Sequence, residues 1–126
     1  MNQLFSILII VIIFIIGFYF LTGSNVNSVS AQQLRSRLNS DKNIALIDVR
    51  TQSEYYGKIG HVDGSKLIPL GNLNDSISTV KWEAYDEIYT ICLSGGRSAQ
   101  AVNILKKNGI KATNVRGGMV AWNMLK

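Results

Sequence analysis

The strongest hydrophobic pattern in the chain is an unbroken apolar block near its N-terminus. Residues 4–21 read LFSILIIVIIFIIGFYFL and include no charged side chain. A helix of that length rises about 27 Å, which is close to the thickness of the hydrocarbon core of a bilayer. Because a domain of this size could not bury such a helix on every side, the pattern predicts a transmembrane helix at residues 4–21.

A cleaved signal peptide is the alternative interpretation of the apolar block, and two features disfavour it. No Lys or Arg precedes the block, and the block is longer than the hydrophobic region of a usual signal peptide. The predicted organisation is therefore an N-terminal tip at residues 1–3, the transmembrane helix, a polar linker at residues 22–28 and one folded domain at residues 29–126.

Helical and strand patterns alternate through the folded domain. Ser30 and Gln33 form a potential capping box at the start of an amphipathic helix, and apolar runs at 44–49 and 87–92 are typical of buried strands. Further helices are predicted at 51–57, 72–82, 97–109 and 117–126, and further strands at 66–68 and 111–115. This alternation predicts an α/β fold with a mostly parallel central sheet and helices on both faces.

The only cysteine, Cys92, lies between the end of a predicted strand and the start of a predicted helix. Glycines in the loop that follows allow a tight curl that points backbone N–H groups inward, and the helix adds its positive end. These groups should lower the pKa of the thiol, so the pattern predicts a reactive cysteine rather than a small buried hydrophobe. The predicted anion-binding loop consists of Leu93, Ser94, Gly95, Gly96, Arg97 and Ser98.

Three more polar residues are expected at the same edge of the sheet. Arg97 could add a full positive charge to the loop or brace it from outside, and the pattern leaves both roles open. Asp48 and Arg50 close the other long strand. Ligands of such sheets bind beyond the carboxyl ends of the strands, so these side chains are expected near the cysteine loop.

Composition and charge limit the classes of partner. The net charge is +5, but Lys and Arg are scattered, with no run longer than Lys106–Lys107, so nucleic-acid binding is not expected. A basic domain of this kind suits a membrane surface that carries anionic lipid. The chain has one histidine, His61, and one cysteine, so neither a metal site nor a cofactor is expected.

The distribution of basic residues also predicts topology. None precedes the apolar block, whereas Arg35 and Arg37 follow it closely, so the positive-inside rule places the folded domain in the cytoplasm. A lone cysteine, which has no partner for an internal disulfide, fits a reducing compartment. The predicted location is the cell membrane, with a single span and a cytoplasmic domain.

Five ordered motifs in the folded domain resemble those of a single-domain rhodanese. They are DVR at 48–50, SEY at 53–55, GHVDGS to IPL at 60–70, CLSGGRSAQAV at 92–102 and VRGGMVAW at 115–122. The resemblance covers roughly residues 28–125. It implies a rhodanese-like fold and a sulfurtransferase in which Cys92 carries sulfane sulfur as a persulfide, between a donor such as thiosulfate or a persulfide and an acceptor such as cyanide or a thiol.

The resemblance also suggests roles for residues outside the loop. It implies that Asp48, Arg50 and Glu54 brace the loop without touching the substrate, and that His61 has a structural role in its turn. Gly117 and Gly118 are expected to form a tight turn that leads the last helix past the cysteine loop.

Two features of the loop refine the expected chemistry. Six residues from Cys92 to Arg97 favour sulfur over phosphate, since related dual-specificity phosphatases have one residue more. Many thiosulfate-using rhodaneses have a basic residue where this chain has Leu93, so a persulfide donor is at least as well suited as thiosulfate. The alternative function is a non-catalytic adaptor, tethered to the membrane, that binds another membrane protein.

Overall fold

The computed structural model describes residues 2–21 and 26–126. The strands are β1 (Ser28–Ser30), β2 (Ile44–Asp48), β3 (Lys66–Leu67), β4 (Glu87–Ile91) and β5 (Thr113–Arg116). The helices are α1 (Gln3–Leu21), α2 (Ala31–Leu38), α3 (Gln52–Tyr55), α4 (Leu73–Ser76), α5 (Gly96–Lys107) and α6 (Gly118–Asn123).

The five strands form one sheet in the order β1-β5-β4-β2-β3, and every neighbouring pair is parallel. The predicted α/β fold with a parallel central sheet is therefore confirmed. Strand β1 was not predicted, because three residues with polar ends have no hydrophobic period. It forms by pairing with β5, where Val29 is in register with Val115, and it includes Ser28, the last residue of the predicted linker. Residues 22–25 of that linker lie outside the described residues.

Helix α1 occupies the segment that was predicted to span a membrane. Its large apolar side chains from Leu4 to Phe18 are 42–77% exposed. Over residues 2–21 and 26–126, however, no helix is found that is both long enough and apolar enough to cross a bilayer. The transmembrane assignment of residues 4–21 is therefore not supported by the described structure.

Local hydrogen bonds explain where two of the helices begin and end. The Ser30 capping box is present: Gln33 N–H donates to Ser30 Oγ at 3.1 Å and Ser30 N–H donates to Gln33 Oε1 at 2.8 Å. Helix α4 is shorter than the predicted helix at 72–82, because the hydroxyls of Ser76 and Thr79 donate to nearby backbone carbonyls. Such side-chain bonds compete with regular helix.

The core lies on both faces of the sheet. One face of the sheet packs on α4 and α5 through side chains that include Ile47, Leu73 and Leu105. The other face packs on α2 and α6 through side chains that include Leu46, Leu34 and Met119. Strands β2 and β4 are central and in register, with Asp48 opposite Ile91. Their carboxyl ends therefore bring Asp48, Arg50 and Cys92 to one edge of the sheet.

Candidate active site

Cys92 directly follows β4, and its side chain is enclosed by the loop that leads into α5. The residue is 1% exposed. Gly95 N–H donates a hydrogen bond to Cys92 Sγ at 3.0 Å, and the Ser98 hydroxyl donates to the same sulfur at 3.2 Å. Gly95 has φ of +113°, a conformation that glycine adopts without strain. The loop therefore curls over the sulfur as the glycine pattern predicted.

These donors determine the acidity of the thiol. Burial raises the pKa of Cys92, but hydrogen bonds from the Ser98 hydroxyl and from the backbone N–H groups of Ser98, Gly95 and Ser94 lower it. The net effect is a pKa below the ordinary value for a cysteine. A larger thiolate fraction at neutral pH makes Cys92 a better nucleophile than a free cysteine.

The first turn of α6 donates two backbone hydrogen bonds to the cysteine loop. Met119 N–H donates to Cys92 O at 2.8 Å, and Val120 N–H donates to Leu93 O at 3.1 Å. Because a trans peptide group points its N–H opposite to its C=O, the N–H groups of Leu93 and Ser94 point away from α6. The two bonds therefore orient these N–H groups toward the side of the loop that faces away from α6.

Gly118 makes that close approach possible. Its φ is +53°, and a Cβ at this position would lie 2.3 Å from Cys92 O and 2.6 Å from Leu93 O. No side chain fits between α6 and the loop. The sequence pattern predicted a tight turn here but not this contact with the loop, which the tertiary packing of α6 creates.

Arg97 connects the loop to α3 through a two-pronged ion pair. Its Nη1 and Nη2 atoms each lie 2.7 Å from one carboxylate oxygen of Glu54. Hydrogen bonds from the Arg97 side chain and, next in size, from Thr51 lower the pKa of Glu54 to about 2, and the carboxylate in turn raises the pKa of Arg97. These contacts place Arg97 as a brace between α5 and α3, the second of the two roles that the sequence left open.

Asp48 and Arg50 form a buried ion pair at the end of β2. The side chains are 0% and 1% exposed, with Arg50 Nη2 at 2.8 Å and Nε at 3.0 Å from the carboxylate of Asp48. Arg50 also donates to Gly60 O at 2.8 Å and to Glu54 O at 3.3 Å. The pair therefore fixes the backbone of α3, the helix from which the Glu54 side chain contacts Arg97.

Asn114 is a buried polar contact of the site that sequence reasoning missed. It lies on β5, and the Ser98 hydroxyl is 2.6 Å from its Oδ1. The sequence offered little signal for it, because Asn114 lies in a mixed run, with Thr113 before it and Val115 and Arg116 after it.

His61 and Leu93 lie around the site without contacting the sulfur through hydrogen bonds. The His61 ring stacks on Tyr55 at 3.7 Å between centroids, and its Nδ1 is 2.9 Å from Tyr55 O. This packing agrees with the structural role expected for His61. Leu93 is partly exposed and directly follows Cys92, so it presents an apolar side chain at the rim of the loop.

Comparison with known proteins agrees with this geometry. Residues 30–125 match the family described as Rhodanese-like domain. The chain belongs to this family. The rhodanese-like domain therefore includes every residue described above as part of the site.

Two curated relatives of this rhodanese-like domain carry names that refer to sulfur transfer. It is 36% identical over 97 residues to the probable adenylyltransferase/sulfurtransferase MoeZ of Mycobacterium tuberculosis, a match that covers 76% of this chain and 24% of that protein. It is 31% identical over 97 residues to the putative sulfurtransferase YtwF of Bacillus subtilis, which covers 77% of this chain and 90% of that protein. The chain thus spans about a quarter of the first relative and most of the second.

A solved structure shows the same fold. The crystal structure of a rhodanese-like domain protein from Staphylococcus aureus superposes on this rhodanese-like domain with a TM-score of 0.69 at 35% identity. The superposition covers 76% of this chain and 90% of that one.

Proposed function

We propose that this rhodanese-like domain is a sulfurtransferase or persulfide carrier in which Cys92 carries sulfane sulfur. The observation that supports the proposal most directly is the cluster of donors on Cys92 Sγ, from the Gly95 N–H and the Ser98 hydroxyl. Such a cluster stabilises an anionic sulfur in a buried position. The names of the relatives, which include sulfurtransferases, favour the same chemistry.

In the first step the thiolate of Cys92 attacks the outer sulfur of a donor R–S–SH. The bond between the two donor sulfurs breaks, and its electron pair leaves with the inner sulfur as RS⁻. With thiosulfate as the donor, the leaving group is sulfite. The domain is left with a persulfide on Cys92, whose terminal sulfur replaces the thiolate as the anion held by the loop donors.

In the second step an acceptor thiolate attacks the terminal sulfur of the Cys92 persulfide. The bond between the two sulfurs breaks, and its electron pair returns to Cys92 as a thiolate. The acceptor leaves as a persulfide, or as thiocyanate if it is cyanide. No external oxidant or reductant is consumed, and the two half-reactions should give ping-pong kinetics.

The donor that suits the loop best is a persulfide. Leu93 places an apolar side chain beside the nucleophile, and the Arg97 charge is paired with Glu54 at 2.7 Å. A dianion such as thiosulfate therefore meets little uncompensated positive charge at the loop rim. A persulfide carries at most one negative charge and therefore needs less positive charge at the rim to bind.

Intact mass spectrometry is the direct test of sulfur loading. After incubation with glutathione persulfide, the protein is expected to gain the mass of one sulfur atom, and the Cys92→Ser variant is expected to gain none. Cys92 is the only cysteine of the chain, so the adduct has a single possible site. Loading by thiosulfate is expected to be slower, and Leu93→Lys is the matched variant that should speed it.

Failure of every donor to load the protein would overturn the carrier function. That outcome favours the second candidate, a non-catalytic adaptor that binds another membrane protein. The observation that favours this candidate is the set of exposed apolar side chains on α1, which could contact another membrane protein.

We further propose that α1 anchors the protein in the cell membrane and that the rhodanese-like domain faces the cytoplasm. The large apolar side chains from Leu4 to Phe18 are exposed, and exposed apolar patches of this extent are rare on soluble monomers. Hydrocarbon chains of lipid would cover them. The basic residues Arg35 and Arg37 on the domain side favour a cytoplasmic domain.

Membrane fractionation tests the anchor. After an alkaline carbonate wash, the full-length protein is expected to remain in the membrane pellet, and Ile10→Lys/Ile13→Lys is expected to move to the soluble fraction. The control Lys106→Gln/Lys107→Gln removes two exposed charges of α5 and should stay in the pellet. Release of the wild-type protein by the wash would contradict an inserted anchor.

A further inference from the structure

Asn114 places an amide in a part of the sheet where polar side chains are costly. Strand β5 lies between β1 and β4, with Asn114 in register with Ser28 on one side and Thr90 on the other. The residue is 8% exposed. A buried amide is tolerated only when it is hydrogen-bonded, and Asn114 Oδ1 lies 2.6 Å from the Ser98 hydroxyl.

The Ser98 hydroxyl has one proton and three acceptors within reach. Its Oγ lies 2.6 Å from Asn114 Oδ1, 3.2 Å from Cys92 Sγ and 3.2 Å from Gly95 O. Ser98 is fully buried, so water does not supply a fourth partner at its surface. The shortest of these distances is to Asn114, which therefore sets the position of the hydroxyl oxygen.

The amide of Asn114 suits both charge states of the neighbouring sulfur. Next to the neutral thiol, S–H donates to Ser98 Oγ and the Ser98 hydroxyl donates to Asn114 Oδ1. Next to the thiolate, the hydroxyl donates to the sulfur instead, and a half turn of the amide brings Nδ2 to donate to Oγ. Asn is the side chain that offers an acceptor and a donor at one position.

Ser98 has another acceptor to which it would turn if the amide were absent. Gly95 O belongs to the residue three positions earlier, and serine hydroxyls in helices commonly bond to carbonyls of the preceding turn. The backbone of Ser98 is held separately, because Thr90 Oγ1 donates to Ser98 O at 2.9 Å. Loss of the amide would therefore change the direction of the hydroxyl and leave the helix in place.

We propose that Asn114 is a positioning residue for Cys92, which acts by holding the Ser98 hydroxyl within hydrogen-bond reach of Sγ. The proposal rests on the proposed function, because it concerns the same sulfur. It adds to that function a residue of β5 whose hydrogen-bond connection to Cys92 runs through one intermediate side chain, that of Ser98.

Strand β5 has one charged side chain, Arg116, which is exposed and donates to Ser28 Oγ at 3.2 Å. The charged groups near Cys92 belong to other elements. They are Asp48 and Arg50 at the end of β2, Glu54 on α3 and Arg97 on α5, and they pair with each other across this edge of the sheet. Helix α6, which also packs on the loop, has no titratable side chain in its described span. The contribution of Asn114 can therefore be separated from theirs by substitution.

The pH dependence of Cys92 alkylation by iodoacetamide tests the proposal. Asn114→Leu is expected to raise the apparent pKa of Cys92 by about one unit, the shift that corresponds to loss of one hydrogen bond to a charged group. Ser98→Ala should raise it similarly. In the Ser98→Ala background Asn114→Leu should add nothing, whereas in Ser98→Thr, which keeps the hydroxyl, its effect should persist.

Val115→Ala is the matched control, because Val115 is the next residue of β5 and faces the opposite side of the sheet. It should lower thermal stability without moving the alkylation profile, and Asn114→Ala replaces the leucine variant if that variant does not fold. An unchanged pKa in Asn114→Leu, or an equal shift with and without Ser98, would overturn the proposal. Alkylation needs no sulfur donor, so the result is independent of whether the domain transfers sulfur.

Discussion

Replacement of Arg50 by methionine is expected to destabilise the domain by about 3–5 kcal/mol, the usual cost of breaking a buried ion pair. The substitution leaves the carboxylate of Asp48 in a site that is 0% exposed, without the two guanidinium nitrogens that contact it at 2.8 Å and 3.0 Å. It also removes the donor to Gly60 O. Urea unfolding followed by circular dichroism measures the change in the free energy of unfolding.

The matched control for Arg50 is Arg37, which pairs with Glu87 at 3.3 Å at the surface and whose side chain is 55% exposed. Arg37→Met should cost less than about 1 kcal/mol, since exposed ion pairs contribute little. The double variant Asp48→Asn/Arg50→Met should recover part of the loss, because it removes the unpaired charge. Equal costs for Arg50→Met and Arg37→Met would show that the buried pair does not brace this edge.

Replacement of Gly118 by alanine is expected to abolish sulfur loading of Cys92 and to destabilise the domain by more than the roughly 1–3 kcal/mol of backbone strain alone. The new Cβ would lie 2.3 Å from Cys92 O, so α6 and the cysteine loop must move apart. The bonds from Met119 N–H and Val120 N–H to the loop would then lengthen. Loading is measured by intact mass and stability by urea unfolding.

Two other glycines serve as controls that distinguish the cost of backbone strain from the cost of a steric clash between the new Cβ and the cysteine loop. Gly109 has φ of +75° with nothing within 4 Å of an added Cβ, so Gly109→Ala should show the cost of strain alone and keep full sulfur loading. Gly96 also has open space and no positive φ, so Gly96→Ala should change stability little. If Gly118→Ala behaves like Gly109→Ala, the support of the loop by α6 is not needed for its chemistry.

Local patterns were sufficient to predict the long strands, the Ser30 capping box and the loop that holds the thiol. Strands β2 and β4 are continuous apolar runs, and a buried parallel strand needs no other signal. Helices α2 and α3 are capped by Ser30 and Thr51, where both reciprocal capping bonds are present. Each of these features depends on residues that are adjacent or a few positions apart, so the sequence reveals them directly.

Secondary structure that depends on particular hydrogen bonds rather than on a hydrophobic period was predicted poorly. Strand β1 exists because β5 offers it an edge, and its three residues contain no periodic signal. Helix α4 ends early because two hydroxyls in its own segment bond to the backbone, although Ile77 and Val80 still pack on the core. In both cases hydrogen bonds, and not the hydrophobic pattern on which the prediction was based, determine the secondary structure.

What the sequence by itself determined is the chemistry: a cysteine at a strand end, glycines that let the loop curl, and an alternation that brings β2 and β4 to one edge. Only the tertiary structure decided how that chemistry is supported. It turned Arg97 toward Glu54, brought Gly118 against the carbonyl of Cys92, and placed Asn114 behind Ser98. These contacts join segments from 16 to 43 residues apart. Their geometry comes from packing across the sheet, about which a local pattern carries no information.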